Sequence, residues 1–168
     1  MRSRLLGVTQ LAADYCATCE NAREMVKMEF VDRMLDLLPR IYWEFFDLSA
    51  DIVVLDEFDY FSSYVEEDYY DSIRRHIEAL LGPDDVFLET FEEDMKYSDT
   101  PIAASIAESL ADIFQPLFDF ISITKDTDGE KMTEAYMQCK EDFGSYWSQT
   151  LCNVLRALNH IKYSSNGE

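Results

Sequence analysis

The chain has 168 residues, 48% apolar and 14% aromatic, and its 34 Asp and Glu against 14 Lys and Arg give a formal net charge of −20. This apolar content excludes a disordered acidic tail and suffices for one domain with a sizeable core. The charge excludes direct docking on nucleic-acid phosphates or anionic lipid, and no apolar run approaches the roughly 20 residues of a membrane span.

Arg2 and Arg4 ahead of Leu5 and Leu6 have the positive start of a secretion signal, but Thr9, Gln10 and Asp14 interrupt the apolar stretch, so the chain reads as cytoplasmic. Apolar residues then recur at helical spacing with only five Gly and four Pro. The pattern predicts an all-α, mostly antiparallel bundle of about five to seven helices, a single domain over residues 1–168 with a long C-terminal helix.

The first helix turns Val8, Leu11, Ala12, Tyr15, Cys19 and Ala22 inward, and the second Met28, Val31, Leu35 and Leu38. Pro39 lacks an N–H and is expected to bend or end that second helix before Ile41–Phe46. Residues 49–65 lack helical periodicity and read as a long irregular connection pinned by Phe58, Tyr60, Phe61 and Tyr64. Ser63 and Glu66 have capping-box spacing for a third helix through Ile73, Ile77, Leu80 and Leu81, which stops at Gly82 and Pro83.

A short helical piece is expected over about 84–96. Thr100 as N-cap and Pro101 then begin a helix with Ile102, Ile106, Leu110, Ile113, Leu117 and Ile121 inward and Glu108, Asp112, Gln115 and Asp119 outward. Pro116 should kink it. After the turn at Lys125–Gly129, the steadiest periodicity of the chain runs from Met132 to Ile161, which predicts one helix over residues 130–162, roughly 50 Å long if unbroken at Gly144. Residues 164–168 should fray. Cys16 and Cys19 have the spacing of half a zinc site, but Cys139 and Cys152 do not complete it, and all four read as buried thiols.

Charge is concentrated in residues 51–100, with 16 acidic residues against Arg74, Arg75 and Lys96. Two functional patterns lie here. Glu89, Glu92, Glu93 and Asp94, followed by Glu108 and Asp112, put carboxylates on adjacent predicted helices, where they could hold Mg²⁺ or Mn²⁺. This loosely resembles the paired acidic motifs of all-α nucleotide pyrophosphatases, in which metals clamp a phosphate chain for attack by water. Glu108 and Asp112 are spaced i, i+4 rather than i, i+3, however, and no Lys, Arg or Asn cluster stands ready for phosphate. A solvated acidic face is the favoured reading of these residues, with no cofactor. The second pattern is aromatic: Tyr64, Tyr69, Tyr70, Phe87, Phe91 and Tyr97 among the acids could bind a basic, partly apolar protein.

Other chemistries lack their parts. Neither His76 nor His160 has Glu three residues before it, against a ferritin-like di-iron centre, and the glycines are isolated, against a phosphate loop. No nucleophile stands in a recognisable His setting. The preferred reading is a non-enzymatic binding or regulatory protein. A divalent-metal phosphohydrolase and an acidic mimic of nucleic acid are the alternatives.

Two blocks resemble a known group: Glu92–Ile106 with Leu110–Ile113, and Tyr146–Trp147 with Leu151, Asn153 and Leu155–Leu158. They are similar to a domain-of-unknown-function family of short acidic proteins from Bacteroidetes bacteria. The resemblance runs from Tyr15 to Tyr163 and is most specific at Tyr97–Pro101. It implies an all-helical cytoplasmic protein, with no reaction and no catalytic residues.

Overall fold

The helical periodicity is realised as six α-helices in a computed structural model that describes residues 2–47, 60–89 and 102–164: α1 (Arg2–Glu20), α2 (Lys27–Asp47), α3 (Glu67–Leu81), α4 (Ile106–Asp126), α5 (Met132–Asp142) and α6 (Ser148–Ser164). Short 3₁₀ turns at Ala22–Glu24 and Gly82–Asp85 follow α1 and α3. Strands β1 (Val86–Leu88) and β2 (Ala103–Ser105) pair antiparallel, with Val86 opposite Ser105 and Leu88 opposite Ala103. No helix among the described residues is long and apolar enough to cross a membrane.

Helix α4 is the centre of the bundle. It packs on α1, α3, α5 and α6, while α2 closes against α1 and α6. Tyr15, Phe30, Phe45, Phe114, Phe120, Tyr136 and Trp147 are fully buried, and each such side chain contributes about 2 kcal/mol by leaving water. Trp147 sits edge-on to Phe45 and Phe143, with ring centroids 5.0 and 4.6 Å apart. Tyr15 can be buried because its hydroxyl donates to the Leu110 carbonyl at 2.7 Å. Cys16, Cys19 and Cys139 are buried thiols as expected, but Cys152 is exposed on α6.

Several local expectations are corrected. Pro39 does not end α2, which runs on to Asp47. The ring is on the exposed side, while Leu38 and Ile41 remain in the core, so burial outweighs one missing hydrogen bond. Ser63 does not close a capping box: its hydroxyl accepts from Val65 N–H, and α3 starts at Glu67 without a side-chain cap. The helix expected from residue 84 is replaced by the 3₁₀ turn and β1 up to Leu88, and 90–96 lie outside the described residues. Asp85 is the reason. It is 5% exposed, and its carboxylate accepts from Ala107 N–H at 2.7 Å and from the Ser105 hydroxyl at 2.6 Å. That ties the chain to the start of α4, where a negative charge also suits the helix dipole.

Ser105, not Thr100, caps α4, accepting from Glu108 N–H at 3.1 Å. Thr100, Pro101 and residues 48–59 of the expected connection lie outside the described residues, as do 165–168. Ser164, placed in the frayed tail by the sequence, is the last residue of α6.

Candidate functional site

The C-terminal stretch stays helical through Gly144 but changes its winding: Phe143–Trp147 form a π-turn, in which Ser148 N–H reaches back five residues to the Phe143 carbonyl. The cause lies in the spacing of core residues. Cys139, Phe143, Trp147 and Leu151 are all buried and stand four apart. At 3.6 residues per turn, three such steps overshoot a straight α-helical face by about 120°. The wider turn absorbs the excess, so that Phe143 and Trp147 both face the core and the Trp147 indole donates to the Cys139 carbonyl at 3.2 Å. Tyr146 is thereby left outward, 53% exposed.

Opposite Tyr146 runs the outer side of α4, and here phenols meet carboxylates repeatedly. Tyr70 of α3 donates to Asp112 at 2.5 Å, and Tyr146 bonds the same carboxylate. Residues 60–65 lie across α4 and α5, held by Phe61 N–H to Gln138 at 2.8 Å and by Gln138 back to the Phe61 carbonyl. In this segment Tyr64 N–H and the Ser63 hydroxyl both donate to Asp119, at 2.7 and 3.3 Å. The Tyr60 and Tyr64 hydroxyls go to Glu141 and Asp126.

Electrostatics follow from this geometry. Burial, then hydrogen bonding to Asp112 and its charge, raises the Tyr70 phenol well above its ordinary value. Burial and the charges of Asp112, Glu108 and Glu89 push Tyr146 up to about 12. Asp119 is raised by burial despite the N–H and hydroxyl it accepts from, and Asp142 by burial and then the neighbouring Glu141 charge. Ion pairs among the described residues lie on other surfaces, including Lys27–Asp84, Arg40–Asp36, Arg74 with Asp71 and Glu78, Lys162–Asp32 and Arg4–Glu44.

The residues singled out from the sequence separate into groups. Glu89, Glu108 and Asp112 all act on the Tyr146 phenol, but no three His, Cys, Asp or Glu among the described residues are arranged to hold a metal ion. Glu92, Glu93 and Asp94 lie outside the described residues. Of the aromatic set, Tyr64 and Tyr70 reach the α4 face. Tyr69 is turned inward, edge-on to Phe114 and Phe118 with centroids 5.8 and 5.7 Å away, its hydroxyl on Glu20. Phe87 is elsewhere, partly buried in a groove with Ile106, Arg156 and Ala157. Phe91 and Tyr97 lie outside the described residues. Sequence reasoning missed Tyr146, Asp142 and the π-turn; the run of core residues four apart was the signal.

Two cavities flank Tyr146. One, of about 260 Å³, lies between Asp112, Gln115, Asp119, Asp142 and Trp147. The other, of about 280 Å³, opens between Glu89, Ser145 of the π-turn, and Gln149, Thr150 and Asn153 of α6.

The family described as a domain of unknown function, DUF5063, matches residues 3–164. The crystal structure of protein BF1032 from Bacteroides fragilis superposes with a TM-score of 0.80 at 30% sequence identity, covering 96% of this chain and 93% of that one. No match is found among curated proteins. Both likenesses span nearly the whole chain, as the sequence resemblance anticipated, and neither description names a reaction.

Proposed function

The chain belongs to the DUF5063 family, and on that footing we propose that it is a non-enzymatic binding protein whose acidic, tyrosine-lined face along α4 takes a basic, partly apolar protein partner. One observation carries this reading. Asp112 and Asp119 take their hydrogen bonds from phenols, a hydroxyl and a backbone N–H, and none of Glu108, Asp112, Asp119 and Asp142 meets a Lys or Arg among the described residues. A cation from a partner therefore finds carboxylates with no competing internal counter-ion. Burial has already made the charged forms of Asp119 and Asp142 less favourable, so an approaching positive charge gains more there than at a fully solvated acid.

The exposed rings add the apolar part. Tyr60, Tyr64 and Tyr146 are 60%, 42% and 53% exposed, and tyrosine supplies wide contact area with a polar tip. The long-range field of the acidic chain would speed encounter, with a strong dependence on salt. We assign this function to the cytoplasm, where the free thiols of Cys16, Cys19, Cys139 and Cys152 stay reduced.

The test is calorimetric titration with a peptide rich in Arg and Trp and with its counterpart carrying Glu for Arg. The proposal expects saturable binding of the basic peptide alone, weakening as salt shortens the Debye length below about 10 Å. Binding of neither peptide, or of both alike, would remove it.

A further inference from the structure

Helix α2 carries two apolar faces, and the described residues cover only one. Met34, Leu38, Ile41 and Phe45 enter the core, while Leu35, Pro39, Tyr42 and Phe46 recur at helical spacing along a second stripe. A helix that packs on one side needs a single such stripe. Tyr42, Trp43 and Phe46 are 36%, 55% and 58% exposed, and their rings cluster, with Phe46 centred 6.3 Å from Tyr42 and 6.2 Å from Trp43. The stripe continues onto α6, where a groove of about 530 Å³ separates Leu35 and Pro39 from Cys152, Leu155, Asn159 and the exposed Tyr163. Pro39 offers no N–H to the Leu35 carbonyl, so one backbone acceptor beside the groove lacks its helical donor. Clustered exposed aromatic rings have the composition of an interface core, whereas scattered ones are ordinary surface.

Charge decides what covers this face. A chain of net charge −20 repels its own copies over most of its surface. Here it does not. Residues 143–167 are the longest acid-free stretch of the sequence, and the acids that α2 brings alongside are held within the chain, Asp32 by Lys162 at 2.6 Å and Asp36 by Arg40 at 2.9 Å. Arg156, on the α6 wall, meets a backbone carbonyl, that of Leu88, and no carboxylate among the described residues. A basic partner therefore finds no open acid on this face. A second copy brings the same apolar stripe and the same cancelled charges, as a two-fold contact requires. With the axis along the groove, α6 of each copy lies over α2 of the other. Arg156 lines the same groove as Leu35 and Pro39, so it then comes level with Asp36 of the other copy.

We infer that the α2–α6 face is where two copies of this chain pair, covering Tyr42, Phe46, Leu155 and Tyr163 around Cys152. The inference uses no residue of the α4 face and stands if that face binds nothing.

Sedimentation velocity of the full chain, over a concentration series at low and high salt, tests it. The expected result is a dimer that strengthens with salt, because added ions screen the repulsion between two acidic bodies; peptide docking on α4 moves the other way. Tyr42→Glu and Tyr163→Glu should each weaken the dimer at least about tenfold with unchanged circular dichroism, and Tyr60→Glu, at the α4 face, by no more than about twofold. If Tyr42→Glu does not fold, Tyr163→Glu at the exposed end of α6 decides alone. Cys16, Cys19 and Cys139 are buried, so a bis-maleimide reagent reaches Cys152 and should join two copies of the parent chain, in a yield that falls in Tyr163→Glu. A chain that stays monomeric at both salt concentrations, a dimer that weakens with salt, or one that Tyr163→Glu leaves intact would overturn the inference.

Discussion

The acids of this protein are used differently on two sides of the bundle. On the α2 and α3 surfaces, Asp32, Asp36, Asp71, Glu78 and Asp84 each meet a Lys or Arg, while along α4 Asp112 and Asp119 meet phenols and backbone N–H groups. The first arrangement is neutralised locally and adds little beyond solubility. The second holds negative charge in place, half-buried and ordered by neutral donors, and so keeps it available. Net charge alone does not separate these regions; the identity of the hydrogen-bond donor does.

A third use of a carboxylate marks the upper limit of the contrast. Asp85 is buried and structural, so Asp85→Ala should cost about 3 kcal/mol by leaving Ala107 N–H and the Ser105 hydroxyl without their acceptor, read as a lower urea midpoint. Tyr70→Phe removes the 2.5 Å bond from a half-buried phenol to Asp112, and should cost about 1–2 kcal/mol while leaving the circular dichroism helical.

Acidity sharpens the comparison further. Asp119 has a raised pKa in the folded chain, chiefly from burial. Its native form therefore holds a proton more tightly than the unfolded chain does. The corresponding stability is fully present below the unfolded value of about 3.9 and is lost as pH rises through the raised native value. Asp119→Asn should accordingly flatten the decline in Tm between about pH 4 and neutrality, relative to the parent chain measured at constant ionic strength. At the cation-paired side the effect should be smallest: Arg40→Ala removes an exposed i, i+4 pair to Asp36 and should change stability by no more than about 0.5 kcal/mol in the same denaturation assay.

The helices were legible because burial on one face leaves a 3–4 period, and that period survives Pro39 and Pro116 within α2 and α4. The hairpin was not, because Asp85 is satisfied by Ser105 and Ala107, about twenty positions downstream, and nothing local announces that closure. The same holds for the face. Tyr70 with Asp112 and Tyr64 with Asp119 are contacts between distant stretches, so an aromatic and acidic composition could suggest a surface without saying which rings reach it. Tyr69 illustrates the ambiguity: it neighbours Tyr70 in the chain, yet α3 turns its ring onto Phe114 and Phe118. The π-turn was written in four-residue core steps that a 3.6-residue helix cannot sustain, and Asn153 in a polar letter at a core position.

The most direct test compares two double variants of equal net charge, Asp112→Asn with Asp119→Asn, and Asp32→Asn with Asp36→Asn, by calorimetric titration with the same Arg- and Trp-rich peptide at low salt. If the acids held by neutral donors form the docking face, the first pair should weaken binding by at least about tenfold and the second by no more than about twofold. Equal losses in the two would show that the peptide reads total charge alone, and would contradict the account.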